Sequence, residues 1–550
     1  MTGSDKPDRS QKRHGFAVSP LVLNLAVAAL LILFYNRTFL ARASDLLASQ
    51  LHFLLLALAA FFLTFALTSL LAGAYFLRLQ QLVLGVLLLL CAVTSFFTDR
   101  FGVLYDPQMV QNLTVARMDE AGDLLSVPLI AHLTLYGGLP IFVISRLRVK
   151  QPRLLTAFAV WAASIVLGLV ACTAIILANY STFASYRTPQ RDPVLLALHP
   201  FAELSAAYTS ARLALEPSSP VPAPIALDAR RSLATDPARP PLFLLMVVGE
   251  SARGANFGLG GYARDTTPKL AAHEVIYFAQ TTACGTATSV SVPCLFSPLT
   301  ADQFTITKNR RIENVLDVAR RLGIDVQWIE NNREHYGVAD RLAVTNFADN
   351  GRSDACPSQR CPDEIVLPDV MNRIAKAKTD TLLVVHLVGS HMVYSDRYPP
   401  AFETFAPVCH GTDLSSCPRQ DLVNGYDNSI RYTDHVLSQM IDALAARPDL
   451  ATALVYTSDH GESLGEHGLF AHSTPPLLAP SEQTRVPFLI WLSAPYTSLR
   501  GLAPDCIRAR TAAPASHDNI FHTLLGLAGI ETTARDPALD LTDGCLQPPA

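Results

Sequence analysis

Hydrophobic residues are concentrated in the first third of this chain, where they form long runs rather than a periodic pattern. Five such runs are separated by more polar stretches, at residues 18–36, 52–77, 82–98, 127–145 and 154–178. Each approaches the roughly 20 apolar residues that a helix needs to cross a bilayer. The pattern predicts five transmembrane helices within residues 1–180, with 82–98 or 127–145 as the run that could instead be re-entrant or interfacial.

The polar stretches indicate an orientation and a boundary. Lysine and arginine are concentrated in the N-terminal tail and after the second and fourth runs: Lys6, Arg9, Lys12, Arg13, Arg78, Arg146, Arg148, Lys150 and Arg153. Since such loops stay in the cytoplasm, we expect a cytoplasmic N-terminus and an external chain after residue 180. Loop 99–126 is expected to carry an amphipathic surface helix, and the amphipathic, then proline-rich stretch 181–240 to be a linker.

Beyond residue 241, short apolar runs alternate with helical patterns such as 312–322 and 430–446. The runs at 242–248, 381–388 and 453–457 are typical of buried parallel strands. The alternation predicts an α/β sandwich with a mostly parallel sheet over residues 241–550. Active sites of such sheets lie beyond the carboxyl ends of the strands. Each of the three runs is followed there by a residue that can bind a metal.

The residues at these strand ends form one candidate metal site. Glu250 follows the first strand, and Asp459 and His460 follow the third. Carboxylate and imidazole ligands suit Zn²⁺, and Mn²⁺ could also bind. Each residue alone has an ordinary alternative, since a carboxylate at a strand end often caps a helix and a lone histidine is often only hydrogen-bonded in the core.

The string CGTATSVSVPC, residues 284–294, is a candidate source of a nucleophile. A hydroxyl held by Zn²⁺ loses its proton far more easily than in water. The alternative is a structural loop rich in serine and threonine and closed by a disulfide. His391 and His472 follow the later strands and could hold a second metal, move a proton or contact a phosphate. Surface or capping histidines remain the alternative there.

Composition and cysteine usage fit a membrane protein with an external domain. Charged residues are 16% of the chain and the mean hydropathy is +0.26, which is apolar for a soluble protein. A net charge of −4 gives no sign of a nucleic-acid partner. Eight of the ten cysteines follow residue 280, and six of these form close pairs. Their spacings do not repeat a zinc motif, so disulfides in an oxidising compartment are expected rather than thiolate ligands.

Five strings together resemble a known family. They are VVGESARGANFGLGGYARDTTPKL, CGTATSVSVPC, NGYDNSIRYTD, YTSDHGESLGEHG and SHDNIFHTLLGLAG. The chain resembles the membrane-anchored phosphoethanolamine transferases of Gram-negative bacteria, which include lipid A-modifying enzymes and mobile colistin-resistance enzymes. The resemblance extends over essentially the whole chain. It implies a catalytic domain like that of alkaline phosphatases and sulfatases.

The resemblance also implies roles for individual residues. Thr288 matches the nucleophile, which is also a zinc ligand, and Glu250, Asp459 and His460 match the other ligands. His391 and His472 match histidines near the transferred group or a second zinc. Asn112 and Glu120 match loop residues that bind the phosphoethanolamine head group. The pairs that match disulfides are Cys284–Cys294, Cys356–Cys361, Cys409–Cys417 and Cys506–Cys545.

The implied reaction is a two-step, zinc-dependent transfer in the inner membrane, with a periplasmic catalytic domain. Phosphatidylethanolamine would give its phosphoethanolamine group to Thr288 and release diacylglycerol, and a lipid A phosphate would then accept the group. One Zn²⁺ is expected, with room for a second, and the protein is expected to be a monomer. Cationic amines on lipid A would weaken the binding of cationic peptides, so polymyxin resistance would follow.

Three departures from the lipid A enzymes leave the acceptor open. Ala116 replaces a threonine, Tyr336 replaces a lysine, and Met392-Val393 replaces Gly-Pro after the matched histidine. A core sugar of lipopolysaccharide or a periplasmic glucan is therefore an alternative acceptor. A phosphoglycerol transferase or hydrolase on the same fold is a second alternative, although no sulfatase-type C-x-P-x-R string is present. The third is an inactive membrane scaffold.

Overall fold

The structure is a computed structural model that describes residues 17–47, 49–71, 79–105, 126–150, 153–179, 196–215, 221–233, 239–332, 334–347, 361–410, 414, 417–474 and 479–546. Three residues with predicted roles, Asn112, Glu120 and Cys356, lie outside this set, as do Ala116 and most of loop 99–126. The chain divides into two compact units. One comprises Met1–Gly102 and Leu125–Leu204, and the other Val103–Leu124 and Ser205–Ala550.

The first unit is helical. Its helices are α1 (Pro20–Phe34), α2 (Arg37–Leu46), α3 (Gln50–Leu71), α4 (Gln80–Phe101), α5 (Val127–His132), α6 (Leu139–Arg146) and α7 (Leu154–Ala178), and α8 (Phe201–Leu215) begins in it. A π-helical turn, Leu133–Gly138, joins α5 to α6. Strands β1 (Ala17–Val18) and β2 (Arg148–Val149) form a short parallel pair.

Among its described residues, this unit has four helical stretches that are long and apolar enough to cross a membrane, namely α3, α4, the continuous stretch Val127–Arg146, and α7. The first predicted span is different, because α1 has only 15 residues and bends by 61° into α2. It becomes a fifth span only if the bent pair is counted as one. The two runs for which a re-entrant course was open, 82–98 and 127–145, are both long helical stretches.

A small-residue face on α7 allows close packing against α3. The buried positions of α7 are Ala157, Ser164, Gly168 and Cys172. A Cβ on Gly168 would lie 2.8 Å from the carbonyl oxygen of Phe62 in α3. Such close approach of helix backbones through small residues is common where lipid supplies no hydrophobic drive for association.

The second unit is an α/β domain, as predicted. Its strands are β3 (Arg230–Arg231), β4 (Leu242–Gly249), β5 (Ile276–Tyr277), β6 (Thr281–Thr282), β7 (Asp325–Glu330), β8 (Ala343–Asn346), β9 (Thr381–His386), β10 (Ala451–Ser458), β11 (Ser463–Leu464), β12 (Phe470–Ala471), β13 (Arg485–Val486), β14 (Phe488–Leu492), β15 (Ala515–Ser516) and β16 (Ile530–Glu531). Its helices after α8 are α9 (Thr288–Leu295), α10 (Ile306–Asn309), α11 (Val315–Arg321), α12 (Leu367–Lys376), α13 (Arg419–Ala445), α14 (Ser481–Thr484), α15 (Ala494–Arg500), α16 (Pro504–Ala509) and α17 (Asp518–Leu527).

Seven strands form the central sheet in the order β5-β14-β10-β4-β9-β7-β8. The five from β10 to β8 are parallel, and β14 pairs antiparallel with β10 at the other side. The three predicted strands are β4, β9 and β10, which lie next to one another at the centre. In register, Gly249 pairs with Ser458 and Val248 with His386. The carboxyl ends of the three strands therefore lie at one level.

Both faces of the sheet are covered, which explains why the central strands are apolar throughout. In β4, Leu242, Leu244 and Met246 join a core with residues of α11 and α17 on one face. Phe243, Leu245 and Val247 join a second core with residues of α12 and α13 on the other. The arrangement is an α/β/α sandwich. Disulfides join Cys284 to Cys294, Cys409 to Cys417 and Cys506 to Cys545.

Asp380 ties together the amino ends of two central strands. Its carboxylate accepts the backbone N–H of Leu242, at the start of β4, at 2.8 Å, and side-chain bonds from Arg239 and Arg231. Burial alone would raise the pKa of Asp380, but these donors outweigh burial and lower the pKa to about 2. The carboxylate is therefore a stabilising anion at neutral pH.

We expect Asp380→Asn to lower stability at pH 7 by about 2 kcal/mol, since the folded pKa lies nearly two units below the ordinary value. A lowered pKa gives stability that is present above the unfolded pKa, near 4, and is lost as the pH falls through about 2. Thermal unfolding of the detergent-purified chain should therefore show a gap in Tm between wild type and D380N at pH 7 that closes below about pH 4.

The matched control is Asp505→Asn, since the side chain of Asp505 is fully exposed. Its Tm should follow that of the wild type at every pH. A gap between wild type and D380N that stays constant down to pH 2 would contradict the role given to the ionised carboxylate.

Candidate active site

Three polar side chains follow the ends of two neighbouring central strands. Glu250 comes directly after β4, and Asp459 and His460 come directly after β10. Because Gly249 and Ser458 are paired in register, the three residues meet at one edge of the sheet. All three are fully buried. Two carboxyl groups and an imidazole thus share a site closed to water.

A strained turn after β4 aims the carboxylate of Glu250 into the site. Ser251 has a φ of 57°, in the left-handed region that serine seldom adopts. Its hydroxyl donates to Oε1 of Glu250 at 2.7 Å, and its carbonyl accepts from the hydroxyl of Tyr426 at 2.6 Å. Strain of this kind persists where surrounding contacts enforce it, as at functional sites. Gly389 is also required here, because a Cβ on it would lie 2.6 Å from the carbonyl oxygen of Glu250.

The hydrogen bond on one ring nitrogen of His460 fixes the role of the other. Nδ1 lies 2.9 Å from the carbonyl oxygen of Gly461, which can only accept, so Nδ1 carries the proton. Nε2 therefore presents a lone pair. It lies 3.3 Å from Oε1 of Glu250 and 3.2 Å from Oδ2 of Asp459. Burial lowers the pKa of His460 to about 4, which keeps the ring neutral.

Asp459 leaves one oxygen for a cation. Its Oδ1 accepts the backbone N–H groups of Ser251 and of His460, whereas its buried Oδ2 accepts no hydrogen bond from the described residues. Burial and the charge of Glu250 raise the pKa of Asp459 well above its ordinary value. For Glu250, burial acts the same way, but the surrounding histidines outweigh it and lower the pKa. Of the two carboxyl groups, Glu250 is therefore the stronger acid.

Thr288 brings a hydroxyl to the same point. It is the first residue of α9, and its Oγ1 donates to Oε2 of Glu250 at 3.1 Å and lies 3.2 Å from Nε2 of His460. Unlike those two side chains it is only half-buried. The hydroxyl therefore stands between the buried acidic site and the open side from which a substrate would approach.

The loop before Thr288 is anchored to the sheet by His517. The Nδ1 of His517 accepts the backbone N–H of Cys284 at 3.1 Å, and its Nε2 donates to the carbonyl oxygen of Ser458 at 3.0 Å. Burial lowers the pKa of His517 to about 3, so the ring stays neutral and keeps both roles. The disulfide between Cys284 and Cys294 closes the same segment. The loop with Thr288 is thus tied to the end of β10.

His391 and His472 line the open side of the site. The Nδ1 of His391 lies 2.8 Å from the carbonyl oxygen of Met392, and Nδ1 of His472 lies 2.8 Å from Oε2 of Glu462. The ring of His472 lies 4.2 Å from that of His460 and 5.5 Å from that of His391, centre to centre. Burial lowers the pKa of His391 to about 3.

Overlapping sets of these residues could hold a metal. Within the described residues, three triads have ligand atoms within 4.8 Å of one another: Glu250 with Asp459 and His460, Glu250 with His391 and His472, and His460 with Glu462 and His472. The first set has two carboxylates, a neutral imidazole and an unsatisfied oxygen. These are the ligand types that Zn²⁺ takes in proteins, so the residues fit that ion.

The structure thus brings together six residues singled out from the sequence: Glu250, Thr288, His391, Asp459, His460 and His472. Their catalytic and ligand roles remain predictions. Two neighbours were not anticipated, namely Asn332, which donates to Oε2 of Glu250 at 2.7 Å, and Glu462, which orients His472. Glu462 lies three residues after the Asp459 that marks the motif. Asn332 follows β7, which was not predicted as a strand because polar residues interrupt its apolar pattern.

Two of the three departures from the lipid A enzymes, Tyr336 and Met392-Val393, fall on described residues. The side chain of Tyr336 is partly buried and packs against the core on the α11 side of the sheet. Met392 packs against the other core, and its carbonyl oxygen accepts from His391 and Arg397.

Family models match both parts of the chain. The Sulfatase model matches residues 243–530, which contain every residue of the cluster. The model described as Phosphoethanolamine transferase EptA/EptB matches residues 60–213. The first match defines the class: the soluble unit is a sulfatase-type domain, as in alkaline phosphatases.

Relatives with similar sequences narrow the family. The chain is 34% identical to "Phosphoethanolamine transferase EptA" of Salmonella typhimurium, over 87% of this chain and 88% of that protein. It is 34% identical to "Phosphatidylethanolamine transferase Mcr-1" of Escherichia coli, over 93% and 95%. The solved integral membrane lipooligosaccharide phosphoethanolamine transferase A (EptA) of Neisseria meningitidis superposes with a TM-score of 0.91 at 27% identity, covering 97% of this chain and all of that one. The chain belongs to the membrane phosphoethanolamine transferase family, and it is a transferase with multiple membrane spans.

The backbone at Gly461 holds His460 in place, and we expect Gly461→Ala to displace it. A Cβ there would lie 2.0 Å from the carbonyl oxygen of Glu482 and 3.2 Å from Cβ of Arg253. Neither atom can rotate away, so the chain must shift. Overpacking of this kind costs about 1–3 kcal/mol or more. The Tm of the purified protein should fall by several degrees.

Gly425→Ala is the matched control. Gly425 lies within α13, and the nearest atom to an added Cβ there is 3.8 Å away, an ordinary contact. Alanine should be neutral or slightly stabilising in that helix. Equal Tm values for G461A and G425A would refute the close approach at Gly461.

Proposed function

We propose that this protein transfers phosphoethanolamine from phosphatidylethanolamine to a phosphate of lipid A, through a covalent phosphoethanolamine-Thr288 intermediate. The observation that carries the proposal is the position of the Thr288 hydroxyl, within 3.2 Å of both Glu250 and His460 on the open side of a buried acidic site. No other described hydroxyl shares hydrogen bonds with both of these residues.

Zinc is the proposed cofactor, with Glu250, Thr288, Asp459 and His460 as the residues that would hold it. When bound, Zn²⁺ would favour the alkoxide form of a threonine and offset negative charge on a phosphoryl group. A second ion could be held by His391 and His472 with Glu250 or Glu462, since those triads are also close enough.

The first half of the reaction loads Thr288. Its hydroxyl, oriented by Glu250, gives up its proton, and Oγ1 forms a bond to the phosphorus of the donor lipid. The bond from that phosphorus to the glycerol oxygen breaks, and the leaving oxygen takes a proton to become diacylglycerol. His391 and His472 both hold Nδ1 in a hydrogen bond, and Nε2 of one of these rings is proposed to take the proton from Thr288 and to pass it to the leaving oxygen.

The second half unloads Thr288. An oxygen of the acceptor phosphate forms a bond to phosphorus and gives up its proton, the bond to Oγ1 breaks, and Oγ1 takes that proton to restore the threonine hydroxyl. Asn112 and Glu120, outside the described residues, are proposed to bind the head group. Two relatives from Escherichia coli support this donor and this acceptor. Mcr-1, a phosphatidylethanolamine transferase, supports the donor, and a Kdo(2)-lipid A phosphoethanolamine 7''-transferase supports the acceptor.

We further propose that the catalytic domain is periplasmic and the chain a monomer in the inner membrane. Three disulfides support an oxidising compartment. The positive N-terminal tail supports a cytoplasmic N-terminus. Both lipids would then be reachable at the outer surface of that membrane.

Thr288→Ala should abolish transfer while leaving the fold intact, because it removes the attacking oxygen and only one methyl group besides. We would express it in cells without other such transferases and measure lipid A by mass spectrometry. The wild type should add a phosphoethanolamine unit, and the loss in T288A should be at least about 1,000-fold, as for other nucleophile deletions. Thr288→Ser, which keeps the hydroxyl, is the matched control and should retain part of the activity.

Three outcomes would change the proposal. Transfer by T288A would remove Thr288 as nucleophile. Unmodified lipid A together with diacylglycerol released by the wild type alone would move the acceptor to a core sugar or a glucan. Wild-type protein that holds no zinc by elemental analysis would overturn the cofactor.

A further inference from the structure

A second buried acid–imidazole pair lies next to the proposed metal site. Glu330 ends β7 and His386 ends β9, and the two residues pair in register across the sheet. Both side chains are fully buried. Neither is among the residues proposed to hold zinc or to touch substrate, so the pair has no role in the reaction as described.

The contacts of Glu330 fix the proton on His386. Nδ1 of His386 lies 3.0 Å from Oε1 and 3.2 Å from Oε2 of Glu330, and a carboxylate can only accept. Nδ1 therefore carries the proton. The carboxylate is itself held by Nε1 of Trp328 at 3.0 Å and by the backbone N–H of Asn332 at 2.7 Å. Both carboxylate oxygens of Glu330 thus accept hydrogen bonds.

The other ring nitrogen of His386 fixes the amide of Asn332. Nδ2 of Asn332 lies 3.0 Å from Nε2 of His386 and 2.7 Å from Oε2 of Glu250. The amide has two hydrogens, and each goes to one of these acceptors. Turning the amide over would place its oxygen against a carboxylate oxygen and a lone pair. His386 therefore enforces the orientation in which Asn332 donates to Glu250.

Only a neutral His386 can accept the hydrogen bond from the amide of Asn332. Burial lowers its pKa, while the carboxylates of Glu330, Glu250 and Asp363 outweigh burial and raise it. A protonated ring would present N–H at Nε2, where the N–H of Asn332 already points. The distance of 3.0 Å between the two nitrogens is within hydrogen-bond range, and the neutral ring can accept this bond.

We propose that Glu330 and His386 are positioning residues that, through Asn332, hold the carboxylate of Glu250 in the orientation needed to bind the metal. The inference rests on the proposed zinc site. Metal ligands in proteins are commonly oriented by an outer layer of hydrogen bonds, and removing one outer partner costs about 10–100-fold in metal affinity or activity. Here Asn332 contacts the ligand Glu250 directly, and His386 and Glu330 act on Glu250 only through Asn332.

The test is the zinc affinity of the full-length, metal-stripped protein, measured by competition with a chromophoric chelator. His386→Phe keeps a buried ring but removes the acceptor for Asn332, and we expect affinity to fall about 10–100-fold. His386→Gln can place its amide oxygen where Nε2 stood, so it should bind zinc within about threefold of the wild type. That rescue is not expected of a residue that only fills space.

The matched control removes a hydrogen bond that a buried histidine accepts outside the site. His522 is buried in α17, and its Nδ1 accepts the backbone N–H of Asp536 at 2.9 Å. His522→Phe makes the same exchange outside the site and should leave zinc affinity unchanged. The transfer rate of each variant is also measured at saturating zinc. If His386 acts only by positioning Glu250 for the metal, added zinc should restore activity to H386F.

Glu330→Gln decides the question if H386F does not fold. It keeps the shape of the side chain but turns one of the accepting oxygens into a donor, so zinc should bind more weakly than in H386Q. Wild-type affinity in H386F, or in E330Q when H386F is unfolded, would overturn the inference. Failure of the wild type itself to bind zinc would instead overturn the proposed function, so the two failures are distinguishable.

Discussion

The fold places two carboxyl groups close together where both are fully buried. The register of β4 and β10 sets Glu250 and Asp459 at the same level, and the lone pair of His460 points between them. Burial of like charges is costly unless a counter-charge or a proton offsets it. The backbone supplies two donors to one oxygen of Asp459 and none to the other. Much of the surrounding structure can be understood as holding these acceptors in place for a cation.

The segments around that centre are restrained by contacts that a free loop would not make. The turn at Ser251 has a left-handed φ, enforced by Tyr426. The segment before Thr288 is tied to β10 through His517 and closed by a disulfide. The segment with His472 is joined to it through the backbone bond from Ser473 to Thr286 at 2.7 Å. The segments that carry Thr288 and His472 are thus tied to the end of β10 by hydrogen bonds and a disulfide, the kind of preorganisation that electrostatic catalysis needs.

How much the sequence could predict depends on burial. β4, β9 and β10 were predicted because strands covered on both faces are apolar at every position. β7 was missed because Asp325, Gln327 and Glu330 interrupt its apolar pattern. Glu250, Asp459 and His460 could be grouped because parallel strands end together. Asn332 could not, since its place beside Glu250 depends on a loop. The 61° bend that follows α1 could not be predicted, because an apolar run does not reveal a change of helix direction.

The contrast between strand ends and loops also applies to the reaction and to the choice of acceptor. The residues that would bind metal and attack phosphorus are fixed by strand register and by the start of α9, so changing them would require changing the sheet itself. The departures from lipid A enzymes lie elsewhere, at Tyr336 and Met392-Val393 in loops outside the strand ends. Loops on a rigid scaffold tolerate substitution better than the strands do, although Tyr336 and Met392 also pack against the two cores. A difference in acceptor would therefore arise in these loops, while the transfer of phosphoethanolamine to Thr288 would stay the same.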